Sequence, residues 1–154
     1  MASILGGGGI SKIGAIPAAS QERVALAGKV DNAGDWTTGR TITVPAGYTA
    51  SKIGIAIRLQ AWNNHATNGS YLRILNYTAG KYWISEEGLT YMKVFTTAAK
   101  YFIFGIEAAP GDSILIQQKG NTSTASMANV SVHAYDTTGG EPSPAVVDWT
   151  GAIA

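Results

Sequence analysis

The sequence predicts an all-β protein, an antiparallel β-sandwich of the jelly-roll type, with an extended N-terminal arm and an extended C-terminal tail. Three observations carry this. The stretch SKIGIAIRLQAW alternates Ile53, Ile55, Ile57 and Leu59 with Lys52, Gly54, Ala56 and Arg58, the period-two signature of a strand with one buried face. Short apolar segments recur between Gly, Pro, Asn and Asp clusters, at about the 8–12 residue spacing of sandwiches and barrels. No stretch keeps apolar residues at helical spacing with caps at both ends, so no long helix is expected.

The other strands follow in order. ERVALAGKV (22–30) alternates Val24 and Leu26 and stops at the loop DNAGDWTTG. RTITV (40–44) is β-branched and is closed by the turn signal PAG. SYLRILN (70–76), KYWIS (81–85) and TYMKVFTT (90–97) are separated by YTAG and EEGL. KYFIFGIEA (100–108) ends at APGD, where proline presets φ and glycine permits a positive-φ corner. SILIQQK (113–119) and MANVSVHAY (127–135) complete the series, the last with Ala128, Val130, Val132 and Ala134 expected on one face. An up-and-down barrel is the runner-up, because sequence does not fix strand order.

Residues 1–20, MASILGGGGISKIGAIPAAS, read as a glycine-rich apolar arm, residues 21–136 as the sandwich, and residues 137–154 as a tail. Lys12 interrupts the place where a signal peptide's apolar core would run, so no secretion signal is expected. Gly6 to Gly9 and Lys12 also break any run near the roughly 18 apolar residues of a membrane span. Apolar residues on ends too short to build their own core need another surface to cover them. Plugging their own sandwich is one solution; docking on a neighbouring subunit is the one preferred here.

Composition excludes several classes. With 45% hydrophobic and 14% charged residues the chain is not of disordered composition. A formal charge of +1, with no basic run, gives no field for holding nucleic acid or an anionic membrane. There is no cysteine, so disulfides and thiolate metal sites are absent. The sequons at Asn68, Asn76, Asn121 and Asn129 are expected to be unmodified.

No catalytic residue, metal ligand or cofactor is assigned. Asp31 and Asp35 share a loop without calcium-loop spacing. Glu86 and Glu87 are adjacent and would point to opposite faces of a strand, so they make no acid–base pair. No serine has a nucleophile-elbow context, and GGGG at 6–9 lacks the Lys-Ser/Thr of a phosphate loop. The one polar-aromatic constellation is AWNNHATNG, with Trp62, Asn63, Asn64 and His65, to which Trp36 is added. A ring stacked on a sugar's apolar face, with amides bonding its hydroxyls, is one use of such residues. The preferred alternative is structural, with Trp62 capping the core and the asparagines forming the turn.

Arm, strand ladder and tail together resemble a small virion structural protein, namely a capsid decoration (cement) or minor capsid protein of a tailed phage. The resemblance implies a non-enzymatic, mechanical role in the virion, made in the host cytoplasm. It implies a homo-oligomer, with threefold symmetry expected, docked on itself and on the major capsid or another virion protein. Ile4, Leu5, Ile10, Ile13 and Ile16 of the arm and Val146, Val147, Trp149 and Ile153 of the tail would be its anchors. The alternative is a carbohydrate-binding or host-receptor-binding module of a tail tip or head fibre, working through Trp62, Asn63, Asn64, His65 and Trp36.

Overall fold

The computed structural model describes residues 11–16, 24–25, 36–50, 52–63, 69–94, 97–120 and 125–137. They form ten strands: β1 Ser11–Ile16, β2 Val24–Ala25, β3 Thr37–Thr43, β4 Ile53–Asn63, β5 Ser70–Asn76, β6 Lys81–Tyr82, β7 Met92–Val94, β8 Lys100–Ala108, β9 Ser113–Gly120 and β10 Ala125–Asp136. All pairings are antiparallel and build two sheets. Sheet A runs β1-β10-β4-β8, with β2 also on β10; sheet B runs β3-β9-β5-β6, with β7 also on β5. The protein is an all-β sandwich.

Alternation decides what lies between the sheets. Ile53, Ile55, Ile57 and Leu59 of β4 are buried and face a core shared with Ile114 and Ile116 of β9 and Leu72 and Ile74 of β5. Phe104 of β8 joins them, and Trp83 meets its ring edge-on at 4.9 Å. Burial of such side chains stabilises at about 25 cal/mol per Å² of apolar surface. The expected APGD corner is present: the Asp112 amide donates to the Ala109 carbonyl at 3.1 Å, and Gly111 takes φ +86°, a region open to glycine at no steric cost.

Three expectations change. Ser11–Ile16, assigned to the arm, pairs with β10 as an edge strand of sheet A. Ile16 lies opposite Val132 and is buried in the core, and Ile13 packs against it. A register shift between Lys12 and Gly14 accompanies this placement of two isoleucines three residues apart. These two therefore cover their own sandwich rather than a neighbour; Ile4, Leu5, Ile10, Val146, Val147, Trp149 and Ile153 lie outside the described residues.

The second change is in β10. Its pairing with β4 shifts register between Ala128 and Ser131, and Asn129 takes φ +49°, a left-handed conformation that asparagine tolerates better than most residues. Met127, not Ala128, therefore joins Val130, Val132 and Ala134 in the core. Asn129 Nδ2 donates to Gln60 Oε1 of β4 at 2.8 Å, which ties the bulge down. The third concerns strand lengths. β6 is far shorter than KYWIS suggests, because among the described residues only Lys81 and Tyr82 pair with β5, and β7 begins at Met92 rather than at Thr90.

One buried group is out of keeping with the core. Gln118 of β9 continues the inward row of Ile114 and Ile116 and is 0% exposed, yet among the described residues neither its Oε1 nor its Nε2 has a hydrogen-bond partner. An unsatisfied buried amide costs about 1–3 kcal/mol. Gln118→Met keeps the shape and removes that penalty. The variant is expected to be more stable by about 1–3 kcal/mol, read as a higher urea midpoint at unchanged slope.

Candidate functional site

The outer face of sheet B carries the most concentrated chemistry. In β5, Ser70, Leu72 and Ile74 turn inward, so Tyr71 and Arg73 stand outward. In β9 the neighbours of Arg73 and Tyr71 across the ladder are Gln117 and Lys119, and Gln117 in turn lies opposite Thr38 of β3. This brings three strands' polar side chains into one row. Gln117 Nε2 donates to Thr38 Oγ1 at 3.0 Å, and Arg73 Nε donates to Gln117 Oε1 at 2.7 Å.

Aromatic rings surround that row. The Arg73 guanidinium carbon lies 4.3 Å from the Trp36 ring centroid and 5.3 Å from that of Tyr82. Both are within the distance at which a cation is attracted by the ring face. Tyr91 meets Tyr71 edge-on at 5.3 Å and approaches Trp36 at 6.4 Å. Burial of the guanidinium pushes the Arg73 pKa down from its ordinary value, with Tyr82 acting in the opposite direction. Trp36, Tyr71, Arg73, Thr90, Tyr91 and Lys119 line an open groove of about 390 Å³.

The residues singled out by sequence do not form one site. Trp36 belongs to this groove. Trp62 is half-buried on β4, on the outward side of sheet A that Arg58 and Gln60 share. The two tryptophans therefore stand on different sheets and form no joint platform. Asn63, expected in a surface turn, is 0% exposed. Strand β4 runs one residue past Trp62, so the period-two alternation turns Asn63 inward, where its Nδ2 donates to the Val94 carbonyl of sheet B. It joins the sheets rather than meeting a ligand. Asn64 and His65 lie outside the described residues.

Sequence reasoning missed Tyr71, Arg73, Tyr91, Gln117 and Lys119. Alternation in SYLRILN and SILIQQK would have put the first two and the last two outward; that β5 and β9 are neighbours is information the alternation does not hold. Glu86 and Glu87 sit in a turn and are exposed. Among the described residues no group of three or more His, Cys, Asp or Glu side chains comes together to hold a metal ion. Among the same residues no helix is long and apolar enough to cross a membrane.

No family model matches the chain, and no curated protein matches it. Among solved structures it is similar to an arabinose-bound α-L-arabinofuranosidase, at 12% identity and a TM-score of 0.33, over 82% of this chain and 23% of the enzyme. The chain thus spans under a quarter of that enzyme's length, and so distant a likeness carries no activity across.

Proposed function

We propose that the chain is a non-catalytic recognition module, a jelly-roll sandwich that binds saccharide on the outer face of sheet B. One observation carries the reading: Trp36, Tyr71 and Tyr91 gather around an arginine fixed by Gln117, in an open groove. Rings there offer apolar faces to a sugar, while Thr90 and Lys119, which line the same groove, supply partners for its hydroxyls. Holding these groups by cross-strand bonds before a ligand arrives reduces the ordering cost of binding. The jelly-roll assignment is supported by the two strand orders and by the way β3, β4 and β5, and again β8, β9 and β10, alternate between the sheets. In a virion such a module would serve at a tail tip or head fibre, recognising a host receptor.

The decoration-protein reading is favoured by a different feature. Tyr77, Tyr82, Ile84 and Leu89 are exposed along one segment, at 69%, 41%, 53% and 38%. Apolar side chains grouped in this way suit a contact with a sister subunit or a shell protein. That role would need no nucleic acid, membrane or cofactor.

A glycan array and titration calorimetry on the full chain separate the two. The recognition reading predicts saturable binding of at least one glycan. Trp36→Ala should weaken it about tenfold or more, the equivalent of about 1.4 kcal/mol of lost stacking. Glycan binding that Trp36→Ala leaves unchanged, or no binding together with tight association with virion shells, would overturn it.

A further inference from the structure

We infer that the saccharide this groove takes is anionic, a sugar bearing a carboxylate or sulfate group that Arg73 receives with Lys119 at its side. The inference rests on the saccharide reading above and narrows it.

Charge and geometry both point this way. The described residues lining the groove include two cations, Arg73 and Lys119, and no carboxylate. Arg73 uses Nε on the neutral Gln117 amide, and among the described residues its two terminal nitrogens meet no acceptor. Those nitrogens are the part of a guanidinium that engages an oxyanion in bidentate fashion. The group is also fixed: Gln117 holds Nε, Thr38 holds Gln117, and the Trp36 and Tyr82 rings lie 4.3 and 5.3 Å from the guanidinium carbon. A partly desolvated cation gains more from an incoming anion than a fully hydrated one does. Burial bears on Arg73 in this sense, pushing its pKa down while it stays protonated at neutral pH.

The neighbouring groove shows the contrast. It is wider, about 700 Å³, shares Tyr91, and contains Glu86 and Glu87 beside Lys93. The carboxylates thus line the neighbouring groove, while the described lining of this one carries only positive charge, so an acidic sugar's charged group is favoured here rather than there. Carboxylate and sulfate share the chemistry Arg73 needs and differ in geometry, so the experiment carries an arm for each.

The test is calorimetry on the full chain with sialyllactose and tetragalacturonate for carboxylate, a heparin tetrasaccharide for sulfate, and lactose and cellotetraose as neutral probes. At least one acidic probe is expected to bind about tenfold or more tighter than the neutral ones. Its affinity should fall as salt rises from about 50 to 500 mM, over which charge screening becomes short-ranged. Arg73→Gln should remove most of this preference. Because Arg73 also supports Trp36, Lys119→Gln provides a second reading that leaves the Trp36 contact in place; it should weaken acidic probes several-fold and neutral ones hardly at all. Acidic and neutral probes binding alike, without salt dependence and still lost in Trp36→Ala, would overturn the anionic inference and leave the saccharide reading standing. No binding by any of the five probes would count against the saccharide reading itself.

Discussion

Phe104→Ala is expected to lower the unfolding free energy by about 3–5 kcal/mol, the usual cost of removing a buried phenylalanine ring. Phe104 is 2% exposed and lies on β8, at the end of sheet A opposite β1, with its ring against Trp83 from the segment that follows β6. The ring therefore joins the two sheets at the side where, among the described residues, neither has a further strand to pair with. Trp83 is held in place by its backbone amide, which donates to the Ile74 carbonyl at 2.9 Å, so its indole has little freedom to collapse into the vacated space. A domain of this size is typically stable by about 5–15 kcal/mol, so the loss is a large share of the total. Urea denaturation followed by tryptophan fluorescence gives the answer. A loss below about 1 kcal/mol would mean that the site collapses freely.

Asn76→Ala should cost about 3 kcal/mol, from three hydrogen bonds at about 1 kcal/mol each, the one to a carboxylate being stronger. Asn76 is 0% exposed at the end of β5. Its Oδ1 accepts from the Ala79 amide at 3.0 Å, and its Nδ2 donates to Asp112 Oδ2 at 2.7 Å and to the Glu107 carbonyl at 3.1 Å. One side chain thus fixes the turn after β5, the APGD corner and the end of β8 on the other sheet. Asp112 Oδ2 also accepts from the Ala109 amide at 2.8 Å; without Asn76 its buried carboxylate loses a charge-assisted partner. The expected signature is an unchanged m-value with a lower midpoint. Amide exchange should become faster at Ala79, Ala109, Gly111 and Asp112.

Much of this architecture is legible in the residues. β5 and β8 follow the boundaries that alternation and turn chemistry set, because each has a clear stop at both ends. β1 escapes notice because glycines precede and interrupt it and because it gains its identity from β10, more than a hundred residues later in the chain. The bulge at Asn129 is equally silent, since MANVSVHAY alternates as though uninterrupted. Asn63 reads as a turn residue because the apolar run ends at Trp62, while pairing with β10 carries the strand one residue further.

The candidate site was harder to read for a definite reason. Its bonds link positions far apart in the chain, Arg73 to Gln117 across 44 residues and Thr38 to Gln117 across 79. Parity shows which face each residue takes, but only the order β3-β9-β5 makes them neighbours. Trp36 is named by composition and loop position alone. Its partners become visible with the fold.

The outer face of sheet B is most directly tested by the nitrogen–proton correlation spectrum of the full chain, titrated in turn with each acidic oligosaccharide named above. The Trp36 indole signal and the amides of Tyr71, Tyr91, Gln117 and Lys119 should move together along one saturation curve, with the Trp62 indole still. Movement centred on Trp62, or no movement at the Trp36 group with any of them, would contradict the account.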